Sequence, residues 1–110
     1  MDKPRTNTTP LTPAVFHILL ALSDGPLHGY AIMQAVEESS GAAMGPGTIY
    51  GSLQRMEEGG LVKEVATAAD DRRRMFTLRP AGRAALQAEA ERLARLAALV
   101  RAKRLVPREA

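Results

Sequence analysis

Residues 45–56 read GPGTIYGSLQRM, and no other segment of the 110-residue chain is as informative about its architecture. Its apolar residues Ile49, Leu53 and Met56 are spaced i, i+4, i+7, which is typical of one face of an amphipathic helix. The opposite face carries small, neutral hydrogen-bonding or cationic residues, namely Gly47, Thr48, Gly51, Gln54 and Arg55. Such a face suits a helix that lies in a DNA groove, where phosphates are negative and base edges offer donors and acceptors.

The composition excludes several classes of site. The chain has no cysteine, which rules out disulfides and leaves only His17 and His28 as soft metal ligands. The longest apolar run, residues 18–22, is too short to span a bilayer, and no signal peptide is evident. We therefore expect a cytoplasmic protein of one small domain plus an appended element, with no metal or cofactor.

The sequence does not support an enzyme. It has no Ser/His/Asp order, no glycine-rich phosphate loop after a strand, and no metal-ligand spacing. We therefore predict a binding protein rather than a catalyst.

Charge is unevenly distributed along the chain. Residues 1–30 hold two acids and two bases, and residues 31–66 hold five acids and two bases. Residues 67–110 hold eleven bases and five acids, and the chain has a net charge of +3. A basic segment beside an acidic one indicates a face for polyanions. The alternative is that the arginine-rich helices are simply solvated.

Periodicity and turn residues predict three helices, a two-stranded hairpin and a final long helix. The predicted helices are residues 12–24, 28–40, 46–58 and 80–105, and the predicted strands are residues 61–66 and 72–78, joined by a polar loop at 67–71. This order is that of a mainly α (α+β) winged helix-turn-helix. We expect a flexible arm at 1–10, a winged-helix DNA-binding domain at 11–79 and a dimerisation helix at 80–110.

The last helix carries an apolar seam. Leu86, Leu93 and Val100 recur every seven residues, and the positions between them are filled by Ala90, Leu96 and Ala97. A helix of roughly 25 residues is about 37 Å long at 1.5 Å per residue, which exceeds a core of this size. We therefore expect the seam to pack against the same helix of a second chain. The alternative is that it folds back on its own domain.

Five motifs occur in order between residues 11 and 85. They are Leu27-His28-Gly29-Tyr30, Pro46-Gly47-Thr48-Ile49-Tyr50, Arg55-Met56-Glu57-Glu58-Gly59-Gly60-Leu61-Val62, Arg72-Arg73-Arg74-Met75-Phe76-Thr77-Leu78 and Ala81-Gly82-Arg83. Their order and spacing resemble the PadR family of bacterial transcriptional regulators, in its branch with a single short C-terminal helix.

The resemblance implies a homodimeric repressor that binds an inverted-repeat operator on double-stranded DNA. By the same resemblance, the residues at the DNA are Thr48, Tyr50, Gly51, Ser52, Gln54 and Arg55, with Gly47 on the same face and with Arg72, Arg73 and Arg74 on the wing. Some family members are released from DNA by planar drugs or phenolic acids. This chain has no tryptophan and no aromatic residue in its last helix, so any small-molecule effector is of unknown identity.

Several of the residues considered for DNA contact have a simpler structural interpretation. Tyr50 lies at the edge of the apolar stripe and is alternatively a core residue with a hydrogen-bonded hydroxyl. Three adjacent arginines on a hairpin, residues 72–74, alternatively serve solubility, and Lys3 and Arg5 alternatively belong to a plain terminus rather than a DNA-binding arm. A competing function is a protein-interaction module, for which the acidic residues of 57–64 would suit a basic partner.

Overall fold

The computed structural model describes residues 11–66 and 74–107, and it contains four α-helices and three short strands in those ranges. The elements are α1 (Pro13–Ala21), a 3-10 turn (Leu22–Asp24), β1 (Leu27–His28), α2 (Gly29–Ser40), α3 (Pro46–Glu58), β2 (Val62–Val65), β3 (Met75–Leu78) and α4 (Pro80–Ala102). The four predicted helices and the winged-helix order are confirmed. The predictions for the arm at 1–10, the loop at 67–71 and the strand start at 72–73 lie outside the described residues.

The sheet has one strand more than the sequence predicted. Its order is β1-β3-β2, with both pairs antiparallel. In β1, Leu27 pairs with Phe76 and His28 pairs with Met75. A two-residue strand is too short to show alternating polarity, so only its tertiary partner identifies it as a strand.

Helix α1 begins where the sequence predicted. The Thr12 hydroxyl accepts a hydrogen bond from the Val15 backbone N–H at 3.2 Å, and Pro13 occupies the first turn, where its missing N–H leaves no bond unmade. Ile18 and Leu19 are fully buried, as is Leu22 in the following 3-10 turn. The prediction that this helix is central to the core is confirmed.

The core lies where α1, α2 and α3 meet the sheet. Its largest fully buried side chain is Phe76 of β3, and it includes the predicted apolar spine Ile49, Leu53 and Met56, none more than 3% exposed. Burying a side chain of this size stabilises the fold by about 1.5–3 kcal/mol. The spine therefore fixes which face of α3 turns inward and which turns outward.

Three elements are joined at Leu61. The Leu61 N–H donates to the Met56 carbonyl, and the Gly60 N–H donates to the Glu57 carbonyl, which together close α3 with Gly60 at φ 80°. The Leu61 carbonyl accepts the Arg79 N–H at 2.9 Å, just before α4 begins. Gly82 of α4 lies so close to Leu61 that a side chain there would overlap the Leu61 carbonyl. The exit of α3, the wing and the start of α4 are therefore held as one unit.

Candidate nucleic-acid interface

The outward face of α3 is free of acidic side chains over most of its length. Gly47, Thr48, Gln54 and Arg55 are exposed, and the first turn contains no acid. The N-terminal end of a helix carries a partial positive charge from its unpaired N–H groups. This end of α3 is therefore electrostatically suited to a phosphate backbone.

Ser52 does not belong to that outward face. Its side chain is only 2% exposed, and its hydroxyl accepts a hydrogen bond from Arg55 Nη2 at 3.4 Å. The Arg55 Nη1 atom also lies over Gly51, 3.6 Å from where a side chain would begin. The burial of Ser52 contradicts a direct DNA contact, because the inner face of α3 is filled by the core. The Ser52 hydroxyl contacts Arg55 instead.

Tyr50 lies between the core and the surface. Its side chain is 37% exposed, and its phenol ring lies against Gly29, the first residue of α2. The ring therefore has one edge on the preceding helix and one edge toward solvent. The contact with Gly29 agrees with the packing interpretation of Tyr50, and its contact with DNA stays a prediction.

A groove runs from α3 to the base of the wing. It is lined by Tyr50, Leu53, Gln54, Glu57, Glu58 and Arg74. Within it, Gln54 Nε2 donates a hydrogen bond to Glu58 Oε2 at 3.4 Å. Because the two glutamates lie at the C-terminal end of α3, phosphates are repelled there and favoured toward Gly47.

Arg74 is held by an acid that sequence reasoning did not connect with it. Its Nε and Nη2 atoms donate to the two Glu64 oxygens at 3.2 and 3.0 Å, and its guanidinium lies 5.1 Å from the Phe76 ring centroid. The hydrogen bond to Glu64 raises the pKa of Arg74, against a smaller opposing effect of desolvation. Both side chains remain about half exposed, so this pair orients Arg74 more than it stabilises the fold. Arg72 and Arg73 lie outside the described residues.

The predicted dimerisation residues divide into two groups. Leu86 is 7% exposed and belongs to the core of its own chain, so the prediction that it lies in a surface seam is wrong. Leu93 and Leu96 are 36% and 44% exposed, Ala90 is exposed, and Ala97 and Val100 are half-buried. Leu99, 52% exposed, was missed because it falls outside the seven-residue spacing.

The two histidines serve local structure. His17 Nδ1 lies 2.6 Å from Ser39 Oγ, which links α1 to α2, and His28 is the N-cap residue of α2. In residues 11–66 and 74–107, no three potential metal-binding side chains come together. Nor does any helix in those ranges have the length and hydropathy that crossing a membrane requires.

Comparison of the chain with known sequences identifies its relatives. The family model described as "Transcriptional regulator PadR-like family" matches residues 18–88. Transcriptional regulator Rv3488 of Mycobacterium tuberculosis is 38% identical over 82 residues, which cover 74% of this chain and 76% of Rv3488. A 37.1 kDa protein of transposon TN4556 from Streptomyces fradiae is 49% identical over 83 residues, which cover 76% of this chain and 24% of that protein. The chain thus matches about a quarter of the length of the transposon protein.

Solved structures share the same fold. A PadR family transcription regulator from Clostridium difficile R20291 has a TM-score of 0.73 at 22% identity, covering 82% of this chain and 96% of that one. Bacillus subtilis PadR, solved in complex with operator DNA, has a TM-score of 0.62 at 25% identity, covering 73% of this chain and 47% of that one. From the match at residues 18–88 we conclude that the chain belongs to the PadR-like family of transcriptional regulators.

Proposed function

We propose that this chain is a homodimeric transcriptional repressor that binds an inverted-repeat operator on double-stranded DNA. The observation that carries the proposal is the outward face of α3, which has no acid from Pro46 to Arg55. The operator complex of Bacillus subtilis PadR supports the choice of ligand. Any control by a small-molecule effector would act by changing the relative affinity of two states for DNA.

The residues of the face divide by chemistry. Thr48, Tyr50 and Gln54 carry hydrogen-bonding groups for base edges, and each well-placed pair discriminates between bases by about 1–3 kcal/mol. Gly47 and Gly51 have no side chain, so the DNA backbone can approach α3 closely. The phosphate contacts are assigned to cations, namely Arg55, Arg72, Arg73 and Arg74.

The distal half of α4 supports the dimer. Leu93, Leu96 and Leu99 expose apolar surface that residues 11–66 and 74–107 do not cover. Packing against α4 of a second copy, in a parallel or antiparallel orientation, would remove that surface from water. The same packing would hold the two α3 helices at a fixed separation. To enter successive major grooves one turn of B-DNA apart, that separation must be about 34 Å.

The alternative of a protein-docking module has less support. It rests on negative charge at Glu57, Glu58 and Glu64. Glu64 is paired with Arg74, which reduces the negative charge available to a basic partner.

The proposal is tested by selecting bound duplexes from random DNA with the purified protein. We expect a recovered site with dyad symmetry, bound by a dimer in sedimentation. A monomer that binds none of the duplexes would contradict both parts of the proposal.

The wing is tested with the triple variant Arg72→Ala, Arg73→Ala, Arg74→Ala. We expect weaker binding to all sequences and a flatter dependence of log affinity on log salt, because fewer counterions are released. A control of equal charge is Arg95→Ala, Arg101→Ala, Lys103→Ala, three exposed cations of α4 and its end. An unchanged salt slope in the wing variant would refute the wing assignment.

A further inference from the structure

Two motifs that are separate in the sequence meet at one contact. Gly29 belongs to the segment 27–30, and Tyr50 belongs to the segment 46–50. Gly29 is buried, and a side chain built on it would overlap the Tyr50 hydroxyl and lie 2.9 Å from Tyr50 Cε1. The phenol ring therefore occupies the volume that any other residue at position 29 would fill.

The requirement for glycine at this position comes from space and not from the backbone. Gly29 is not one of the glycines with positive φ, which are Gly25, Gly41 and Gly60. Alanine would fit the backbone of this first helical position, because the conformation there is not one that requires glycine. The three atoms nearest to an added side chain all belong to the Tyr50 phenol.

The neighbour that would have to move is the far end of a side chain. The ring rotates about its own bonds, so an alanine at position 29 would displace Tyr50 and leave the helices in place. Gly82 is the contrasting case, because there the overlapping atom is the Leu61 backbone carbonyl, which cannot rotate away.

The position of the Tyr50 ring matters because the ring also lines the groove beside α3. Tyr50 lines the groove that also contains Gln54 and Arg74, on the face assigned to DNA. We propose that Gly29 is a positioning residue, which holds the Tyr50 phenol against α2 and thereby sets the base preference of α3. This inference rests on the proposed function, since it assumes that Tyr50 reads the operator.

The first experiment is a double-mutant cycle of Gly29→Ala and Tyr50→Ala. Affinity is measured for the selected operator and for a scrambled duplex of equal length at one salt concentration. We expect Gly29→Ala to weaken operator binding about tenfold, within the range for one base-reading pair, and to leave scrambled-duplex binding within about twofold. On the Tyr50→Ala background we expect Gly29→Ala to cause no further loss.

Two results of the cycle would overturn the proposal. One is an equal loss from Gly29→Ala with and without Tyr50. The other is an equal loss on operator and scrambled duplex, since that pattern indicates a general effect on the fold.

The second experiment needs no DNA. The chain has two tyrosines, so in a Tyr30→Phe protein the remaining tyrosine ring signals in an NMR spectrum belong to Tyr50. We expect Gly29→Ala to shift those ring signals and to leave the Ile49 and Leu53 methyl signals in place. The control is Gly45→Ala, an exposed glycine with no atom within 4 Å of an added side chain.

The two experiments separate the two possible failures. Unshifted ring signals in Gly29→Ala would overturn the positioning role even if the protein binds its operator. Shifted ring signals in a protein that binds no duplex would overturn the proposed function and the specificity role with it.

Discussion

The two halves of α4 share one sequence pattern but have different environments. In the first half, Leu86 is 7% exposed, and Gly82 and Glu89 are also buried. From residue 90 to residue 102 no side chain is buried, and Leu96 is 44% exposed. One seven-residue repeat therefore covers two different surfaces. The first completes the core of its own chain, and the second is left uncovered by the part of the chain that the structure describes.

The difference shows that helix periodicity does not identify the partner of an apolar face. The first half of α4 packs on α1 and β3, and the helix then extends beyond them. Burying a fully exposed leucine stabilises by about 1.5–3 kcal/mol, and the partly exposed distal leucines would contribute a fraction of that value each to the dimer proposed above. Substitutions in the two halves of α4 and at its ends test that division.

The strongest test compares Leu86→Ala with Leu96→Ala. We expect Leu86→Ala to lower the free energy of unfolding by about 2–5 kcal/mol, because it leaves a cavity in the core. Leu96→Ala should change the unfolding of the monomer by less than about 0.5 kcal/mol and weaken self-association. Urea unfolding at low protein concentration and sedimentation measure the two effects. Equal losses of monomer stability would mean that α4 is not divided as described.

The next test is Gly82→Ala at the start of α4. The added methyl group would lie 3.0 Å from the Leu61 carbonyl carbon, and that carbonyl is fixed by its hydrogen bond from Arg79. We expect thermal unfolding to show a loss of about 1–3 kcal/mol, despite the better helix propensity of alanine. Gly29→Ala serves as the matched comparison, since its neighbour is a ring that can move. A smaller loss at position 82 than at position 29 would contradict this explanation.

A smaller, pH-dependent effect is expected at Glu89, where the two halves meet. Glu89 is 7% exposed and accepts hydrogen bonds from Arg92 Nη2 at 2.6 Å and Arg92 Nε at 3.1 Å. These bonds lower the pKa of Glu89; burial opposes the shift, while the Arg92 charge and a hydrogen bond from the Leu11 backbone also favour it. A carboxylate with a lowered pKa in the folded state stabilises the protein above its unfolded pKa, and the contribution disappears as the pH falls through the folded value.

The corresponding measurement compares the wild type with Glu89→Gln in urea at several pH values. The difference in unfolding midpoint should be largest near pH 7 and should shrink as the pH falls from about 5 to about 3. The exposed Glu91→Gln variant is the control and should show little pH-dependent difference. A difference for Glu89→Gln that is constant over this range would refute the ion-pair explanation.

The smallest effect is expected where the distal half ends. Arg104 has φ 60°, and its N–H donates to the Arg101 carbonyl in the turn that closes α4. Glycine has no steric cost in this conformation, although it adds entropy to the unfolded chain. We expect Arg104→Gly to raise the free energy of unfolding by about 0.5 kcal/mol. Lys103→Gly, at a position with φ −86°, should lower the free energy of unfolding. A Lys103→Gly protein more stable than the Arg104→Gly protein would contradict the left-handed conformation at Arg104.

Much of α3, the helix proposed to face DNA, was predictable from the sequence. The spacing of Ile49, Leu53 and Met56 fixes the inner face, and Gly47, Thr48, Gln54 and Arg55 are exposed on the outer face as predicted. The sequence analysis placed Ser52 on the outer face, but it is buried. It lies beside the apolar stripe, a position at which a small polar residue is compatible with the core or with solvent. The partner of Arg74 was missed because Glu64 lies on the neighbouring strand, and nothing in either local sequence specifies the register between them.

Local periodicity, turn residues and motif spacing were enough to predict the four helices, the two wing strands, the inward faces of the first three helices and the family. The contacts of Gly29 with Tyr50 and of Glu64 with Arg74 appear only in the tertiary structure, as does the difference between the buried Leu86 and the exposed Leu96. These contacts join residues on different elements, and they depend on how far each element extends past its neighbours. Local patterns carry no information about that distance.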